Sequence, residues 1–140
     1  MRIVIVGCGR VGAKLAADFA DEGHQVSVVD LRQTAFRRLP QGFRGQLVLG
    51  TGIDEDVLRN AGIQQADVFI AVTDNDNTNI MAAQIAQVIY QVPKVILRIY
   101  DPERAEIYRD LGLTVICPTR TVSEMIEEAV RNHVASGESR

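Results

Sequence analysis

The residues of this 140-residue chain whose types and spacing can do chemistry are concentrated in its first thirty positions. Gly7-Cys8-Gly9-Arg10-Val11-Gly12 has the spacing G-x-G-x-x-G, and Asp30 follows eighteen positions after the last of these glycines. Each part has a physical task. Gly7 allows a tight turn, Gly9 lets the backbone approach a pyrophosphate with no Cβ in the way, and Gly12 lets a helix pack close to a sheet. Free N–H groups and the positive end of a helix dipole then face the phosphates. A carboxylate at Asp30 can accept from both hydroxyls of a ribose, and it would repel the extra phosphate of NADP. The expected chemistry is binding of NAD(H) or of an adenosine nucleotide.

A glycine spacing of this kind also occurs in ordinary turns, so the elements that must position it decide the reading. Before Gly7 stands Ile3-Val4-Ile5-Val6, apolar and β-branched throughout, a strand buried on both faces. After it, Leu15, Ala16, Phe19 and Ala20 share one face of a helix that Gly23 stops. Val26-Ser27-Val28-Val29 is a second strand, and it delivers Asp30 to its carboxyl end. Strand, glycine turn, helix, strand and acid are all present in order.

The alternation continues. A short helix is expected over 34–39, broken by Pro40 and Gly42. Arg32, Arg37, Arg38 and Arg44 surround it as solvated charge, with Arg32 near enough to Asp30 to lie over an adenine. A third strand over 46–49 runs into Gly50-Thr51-Gly52, and Asp54 caps a helix through Val57 and Leu58 that stops at Gly62. A fourth strand over 67–72 meets a polar run, 73–79. The spacing Asp74-x-Asp76 invites a calcium loop, but Asn79 stands where that loop needs glycine and Ile85 where it needs glutamate. Helix capping and polar groups at a strand end are expected instead.

A long helix then reaches about residue 91. It carries Met81, Ala82, Ala83, Ile85, Ala86 and Ile89 on most of its faces and is expected to be well buried. A fifth strand over 95–100 holds one charge, Arg98, which needs an anionic partner or an exposed end. Asp101-Pro102-Glu103 opens a helix that ends at Gly112, and a sixth strand over 114–117 closes at Pro118. Thr121-Val122-Ser123-Glu124 has the form of a capping box for a last helix with an apolar stripe of Val122, Met125, Ile126, Ala129, Val130 and Val134. The tail, 136–140, is expected to fray.

Six short apolar strands alternating with helices predict an α/β fold, a Rossmann-like doubly wound parallel sheet in the order 3-2-1-4-5-6. Residues 1–118 form the expected nucleotide-binding core, and 119–140 a C-terminal helix and tail. Ligands bind such sheets at the carboxyl ends of the strands, near the switch between strands 1 and 4. The glycine turn with Arg10 and Val11, then Asp30-Leu31, Thr51-Gly52, Thr73-Asp74 and Arg98 are expected to converge there. Arg10 could reach a phosphate, a neighbouring subunit or only solvent.

Composition closes other routes. The net charge of −3 lacks the electropositive footprint of a nucleic-acid binder. No apolar stretch has the length of a membrane span, so direct insertion is not expected, and the N-terminus enters a strand without a signal-peptide layout. Cys8 and Cys117 have no metal-ligand spacing and read as reduced, buried thiols of a cytosolic protein. His24 and His133 read as surface or cap residues. An NAD-dependent enzyme must also hold a second substrate, usually on a further domain. The six strands use the chain up to about Pro118, and no His, Tyr or Lys falls in the crevice as an acid or base. Binding without catalysis is expected; the alternative is a small NAD-dependent oxidoreductase or its isolated cofactor domain.

Four segments carry a more specific likeness: I-V-I-V-G-C-G-R-V-G over 3–12, Thr73-Asp74-x-Asp76-x-x-Asn79, Pro93-Lys94-Val95-Ile96-Leu97-Arg98, and Leu111-Gly112-x-x-x-Ile116-x-Pro118. In these the chain resembles the regulator of potassium conductance (RCK, or KTN/TrkA-N) family over about residues 1–135. The resemblance implies a cytosolic regulatory domain, peripheral to the inner face of the membrane through a partner. It implies a homodimer, often within an eight-domain ring, gating a potassium channel or transporter in response to NAD(H) or ATP/ADP. It places ligand contacts at Gly7, Gly9, Arg10, Gly12, Asp30, Thr73 and Arg98, and makes the final helix one that crosses to the partner subunit. Thr51 stands where many members carry Asp. Thr119 stands where ATP-binding members often place Glu near the terminal phosphate and its cation. The family's usual C-terminal lobe is absent, as expected of a fragment or a short member.

Overall fold

Each of the six apolar runs forms a strand, and the central one is the first. The computed structural model describes residues 1–137; the last three positions of the tail expected to fray lie outside the described residues. The strands are β1 (Arg2–Val6), β2 (Gln25–Asp30), β3 (Gln46–Leu49), β4 (Val68–Ala71), β5 (Lys94–Arg98) and β6 (Thr114–Ile116). The helices are α1 (Arg10–Asp21), α2 (Glu55–Asn60), α3 (Asp76–Gln84), α4 (Pro102–Asp110) and α5 (Pro118–Ala135), with a 3-10 turn over Gln33–Arg38. The sheet is parallel throughout, in the order β3-β2-β1-β4-β5-β6. This is the Rossmann-like order expected from the first strand.

The switch point follows from which face each crossover covers. β1 lies between β2 and β4, with Ile5 opposite both Val28 and Ile70. Ile3 and Ile5 join Val28 and Ile70 in one core, covered by Ala13 and Ala16 of α1 and by Ala35 of the 3-10 turn. Val4 and Val6 point to the other core, where Val29, Phe69 and Ala71 meet Leu58 of α2, Ala82 and Ala83 of α3 and Ala105 of α4. Alanines at the contact points let helices sit close to the strands. Chain leaving β1 and chain leaving β4 therefore turn to opposite faces, and a crevice opens between them.

Two expectations are corrected. The capping box at Thr121 does not form. α5 begins three residues earlier, at Pro118, with Cys117 as its N-cap, because proline's fixed φ suits the first helical position. Thr121 donates from inside the first turn to the Cys117 carbonyl, and the Ser123 hydroxyl bonds back to Thr119. The helix after β4 is also less buried than its composition suggested. It passes into a π turn over Ile85–Ile89, where Tyr90 N–H donates to the Ile85 carbonyl, and the added residue rotates the following side chains outward. Ala82, Ala83 and Ala86 are buried, but Met81 (51%), Val88 (69%) and Ile89 (56%) are exposed. The turn brings the Tyr90 hydroxyl to Glu55 (2.8 Å) and Arg59 (3.0 Å) on α2. No helix among the described residues is long and apolar enough to cross a membrane.

Candidate functional site

The site begins where β1 stops. Gly7 has φ +109°, open to glycine but not to residues with a Cβ, and its N–H donates to the Val29 carbonyl at 2.8 Å. A Cβ on Gly7 would also lie 2.9 Å from the backbone of Val72 and Thr73, so the turn rests against the end of β4. Gly12 is closer still. A Cβ there would stand 1.8 Å from the Gly7 carbonyl oxygen, so this glycine brings α1 against the turn itself as well as the sheet. Gly9 is different: nothing lies within 4 Å of where its Cβ would be. It is the N-cap of α1, and the first-turn N–H groups that follow have no acidic side chain beside them. Arg10 and Val11 are exposed at that helix start.

Asp30 closes the turn from the β2 side. Its Oδ2 accepts from Cys8 N–H and its Oδ1 from Arg32 N–H, both at 2.8 Å. Each carboxylate oxygen retains a lone pair for a ribose hydroxyl. Arg38 reaches the Cys8 carbonyl at 3.5 Å, and Leu31 projects beyond the strand, 70% exposed. Burial, aided by the Asp30 charge, pushes the Cys8 thiol up to about 11, so it stays protonated at neutral pH. Cys117 is buried as well, and both cysteines are free. At the end of β3, the Thr51 carbonyl accepts from Asp54 N–H as α2 begins. Gly52 is buried against β1, where a Cβ would meet the Val6 side chain at 2.3 Å. That glycine serves packing.

The end of β4 is built around a residue that sequence reasoning placed in a motif without giving it a role. Asn79 is fully buried. Its Oδ1 accepts from Thr73 N–H (2.9 Å) and from the Thr73 hydroxyl (2.6 Å), and its Nδ2 donates to the Thr73 and Arg98 carbonyls (3.0 Å each). A side-chain amide so occupied ties β4 to β5. Asp76 adds a second tie, accepting from Tyr100 N–H (3.0 Å) and Asp101 N–H (3.3 Å). Asp74 remains exposed at the mouth, and Asn75 caps α3 through Thr78 N–H. The spacing Asp76-x-x-Asn79 on one helical turn was the available signal.

Arg98 completes the wall. Its Nη2 donates to the carbonyls of Val72 (2.8 Å) and Thr73 (3.0 Å), and its guanidinium lies 5.1 Å from the centre of the Tyr100 ring. Its Nε is buried without a hydrogen-bond partner. No ion pair to a carboxylate is formed by Arg98 among the described residues. This cation faces the end of β4 through Nη2. A cavity of about 500 Å³ lies elsewhere, at the amino ends of the strands among Arg2, His24, Ser27, Arg44 and Gln46. Two of its polar side chains are engaged within the chain: Ser27 donates to Gln46, which donates to the Asn60 carbonyl.

A parallel sheet in this order, with a glycine turn and an acid at its switch point, defines a Rossmann-type domain. The chain belongs to the TrkA-N domain family, whose model matches residues 3–118. It is 47% identical over 126 residues to the Trk system potassium uptake protein TrkA of Streptomyces coelicolor, covering 90% of this chain and 56% of that protein. It is 33% identical over 131 residues to the TrkA homolog of Methanothermobacter thermautotrophicus, covering 93% and 60%. The chain thus spans little more than half the length of these relatives. The crystal structure of the TrkA-N domain of inner membrane protein ybaL from Escherichia coli shares the fold, with TM-score 0.78, 20% identity and coverage of 91% and 95%. So does the GsuK channel bound to NAD, with TM-score 0.69, 22% identity and coverage of 84% and 21%. GsuK bound to ADP gives TM-score 0.69, 21% identity and coverage of 83% and 31%.

Proposed function

We propose that this chain is a cytoplasmic, non-enzymatic regulatory domain that binds NAD(H) or an adenine nucleotide and passes its occupancy to a membrane potassium channel or transporter subunit. The observation that carries the reading is the open space at Gly9, in a turn whose Cys8 N–H is bound by the Asp30 carboxylate, with the Arg98 cation at the end of β4 bonded only to neutral carbonyls. In this reading the α1 N–H groups and Arg98 take phosphate, and Asp30 takes the adenosine ribose. In the same reading Arg10, Val11, Leu31, Thr51, Thr73 and Asp74 line the rest of the crevice, and Gly52 packs the Thr51 turn against Val6 of β1. The names of the relatives, potassium uptake proteins and a channel with NAD-bound and ADP-bound forms, support a regulator over an oxidoreductase.

The test is calorimetric titration with NAD⁺, NADH, ADP, ATP and NADPH. Asp30→Ala is expected to weaken NADH by about 1–3 kcal/mol, the scale of lost hydrogen bonds to a charged group. Unchanged affinity would remove Asp30 from the ribose. NADPH is expected to bind more weakly than NADH in the same buffer, because its 2′-phosphate meets a carboxylate. Equal affinities would show that Arg32 or Arg38 overrides Asp30.

The proposed assembly is a homodimer, with an octameric ring as the next level, in which the segment 119–140 crosses from one core (1–118) to the other. α5 has no buried residue, and Val122, Met125, Ile126, Val130 and Val134 of its stripe are each more than half exposed. Met81, Val88 and Ile107, on α3, its π extension and α4, and Leu111 just after α4 are a second set of exposed apolar side chains. A second copy's α5 would bury both.

A further inference from the structure

We propose that Arg98 is the residue through which an occupied crevice acts on α5, by way of the Tyr100 ring. The inference rests on the reading of the crevice as a nucleotide site and adds how occupancy leaves it.

Arg98 stands between two neighbours. On one side it holds the Val72 and Thr73 carbonyls, the same backbone on which Gly7 rests. On the other its guanidinium lies over the Tyr100 ring. Without ligand its contacts are two neutral carbonyls and a ring face, and its buried Nε–H is unused. A phosphate on the glycine turn offers charged acceptors in a forked arrangement that matches guanidinium, and the attraction between opposite charges adds to bonds that a carbonyl accepts only as a dipole. The cation then turns toward the phosphate, loosening its stack on Tyr100.

Tyr100 is attached to the root of α5. It lies just past the end of β5, and its carbonyl accepts from the thiol of Cys117, the N-cap of α5, at 3.6 Å. One residue earlier, Ile99 N–H donates to the Ile116 carbonyl at 3.0 Å. The only ion pair between α5 and the core among the described residues is in its first turn, where Arg120 meets Glu106 of α4 at 2.7 Å. That hydrogen bond, with the arginine's charge, holds the Glu106 carboxyl below the usual carboxylate range. α5 is therefore a lever held near its base. At 1.5 Å per residue it is about 27 Å long, so a tilt of about 5° at the root carries its far end about 2 Å. The pieces form one contiguous chain of contacts from the glycine turn to that root.

The experiment uses spin labels on Gln64→Cys and Asn132→Cys, one exposed position on the core and one on α5, with labelled chain diluted in unlabelled chain. The native thiols are buried and do not compete for label. Distances are measured by pulsed electron resonance with and without ADP, beside calorimetry. ADP is expected to shift the distance in the parent. Tyr100→Leu is expected to bind ADP within about twofold of the parent, as a residue outside the crevice should, and to lose the shift. Tyr100→Phe, which keeps the ring, is expected to keep it. Arg98→Lys keeps the charge but not the planar stack, and should also lose the shift; it tests the path if Tyr100→Leu does not fold. A shift that survives in Tyr100→Leu or in Arg98→Lys overturns the proposal, as does a parent that binds ADP without moving. A parent that binds neither ADP nor NADH fails earlier, at the reading of the crevice itself.

Discussion

Gly12→Ala is expected to damage the fold, while Gly9→Ala, three residues away, leaves the fold intact and removes the ligand. At Gly12 the new Cβ would stand 1.8 Å from the Gly7 carbonyl oxygen and 2.9 Å from its carbon. Both are backbone atoms, fixed by the Gly7 bond to Val29 and by contact with β4, so no side-chain rotation relieves the clash. Either α1 or the turn must shift, at a cost on the order of 3 kcal/mol or more. For a domain of this size the melting temperature should fall by about 10 °C. At Gly9 the backbone has φ −78° and ψ −165°, extended and open to alanine, and the new methyl meets nothing within 4 Å. Stability should change by no more than about 0.5 kcal/mol. The same methyl fills the space through which a pyrophosphate approaches the α1 N–H groups, so nucleotide affinity should fall at least about a hundredfold, or about 2.7 kcal/mol. Thermal melts and titrations of both variants decide it. Gly9→Ala with parental affinity would move the phosphate out of this turn, and Gly12→Ala with a parental melt would show that the turn can open.

Val130→Glu is expected to turn a dimer into a monomer. Val130 is 59% exposed near the middle of the α5 stripe, between Ile126 at 60% and Val134 at 58%. Fully burying such a side chain contributes about 1.5–3 kcal/mol, so several from each copy could offset the entropy lost on association. A carboxylate at the centre reverses this, because its burial without a partner costs several kcal/mol. No residue of α5 is buried in the core of its own chain, so the fold should be indifferent to the change. Sedimentation should give a dimer for the parent and a monomer for Val130→Glu, with matching circular dichroism. A parent that sediments as a monomer at tens of micromolar ends the proposal.

The legible part of the fold was the part set by local chemistry. Ile3-Val4-Ile5-Val6 could only be a strand buried on both faces, and Gly7, Gly12 and Asp30 fixed what lay at its end. The parallel order followed, because handed crossovers leave few alternatives. Less legible were features decided by competition between distant groups. Pro118 read as the close of a strand, yet a proline that stops one element also starts a helix, and Thr121-Val122-Ser123-Glu124 offered a capping box inside that helix. Nothing local distinguished the two. The π turn at Ile85–Ile89 had no local marker, and the bond it allows joins Tyr90 to Glu55, thirty-five residues earlier. Asn79 looked like the end of a polar run; only the approach of the Thr73 and Arg98 carbonyls gives it four hydrogen bonds.

The exposed α5 also bears on the life of the protein before it meets a partner. A helix of eighteen residues with no side chain buried depends on its own backbone bonds and on pairs such as Glu127 with Arg131. Most of a helix's stability in a protein comes from packing its apolar face, which this one does not do within its own chain. A segment with so few contacts is expected to open while the sheet stays intact, and opened chain is what proteases cut. In the proposed homodimer a second subunit would shelter the helix, and an unpaired copy would be cut first within it. Cellular turnover would thus keep the number of these domains matched to the number that assemble.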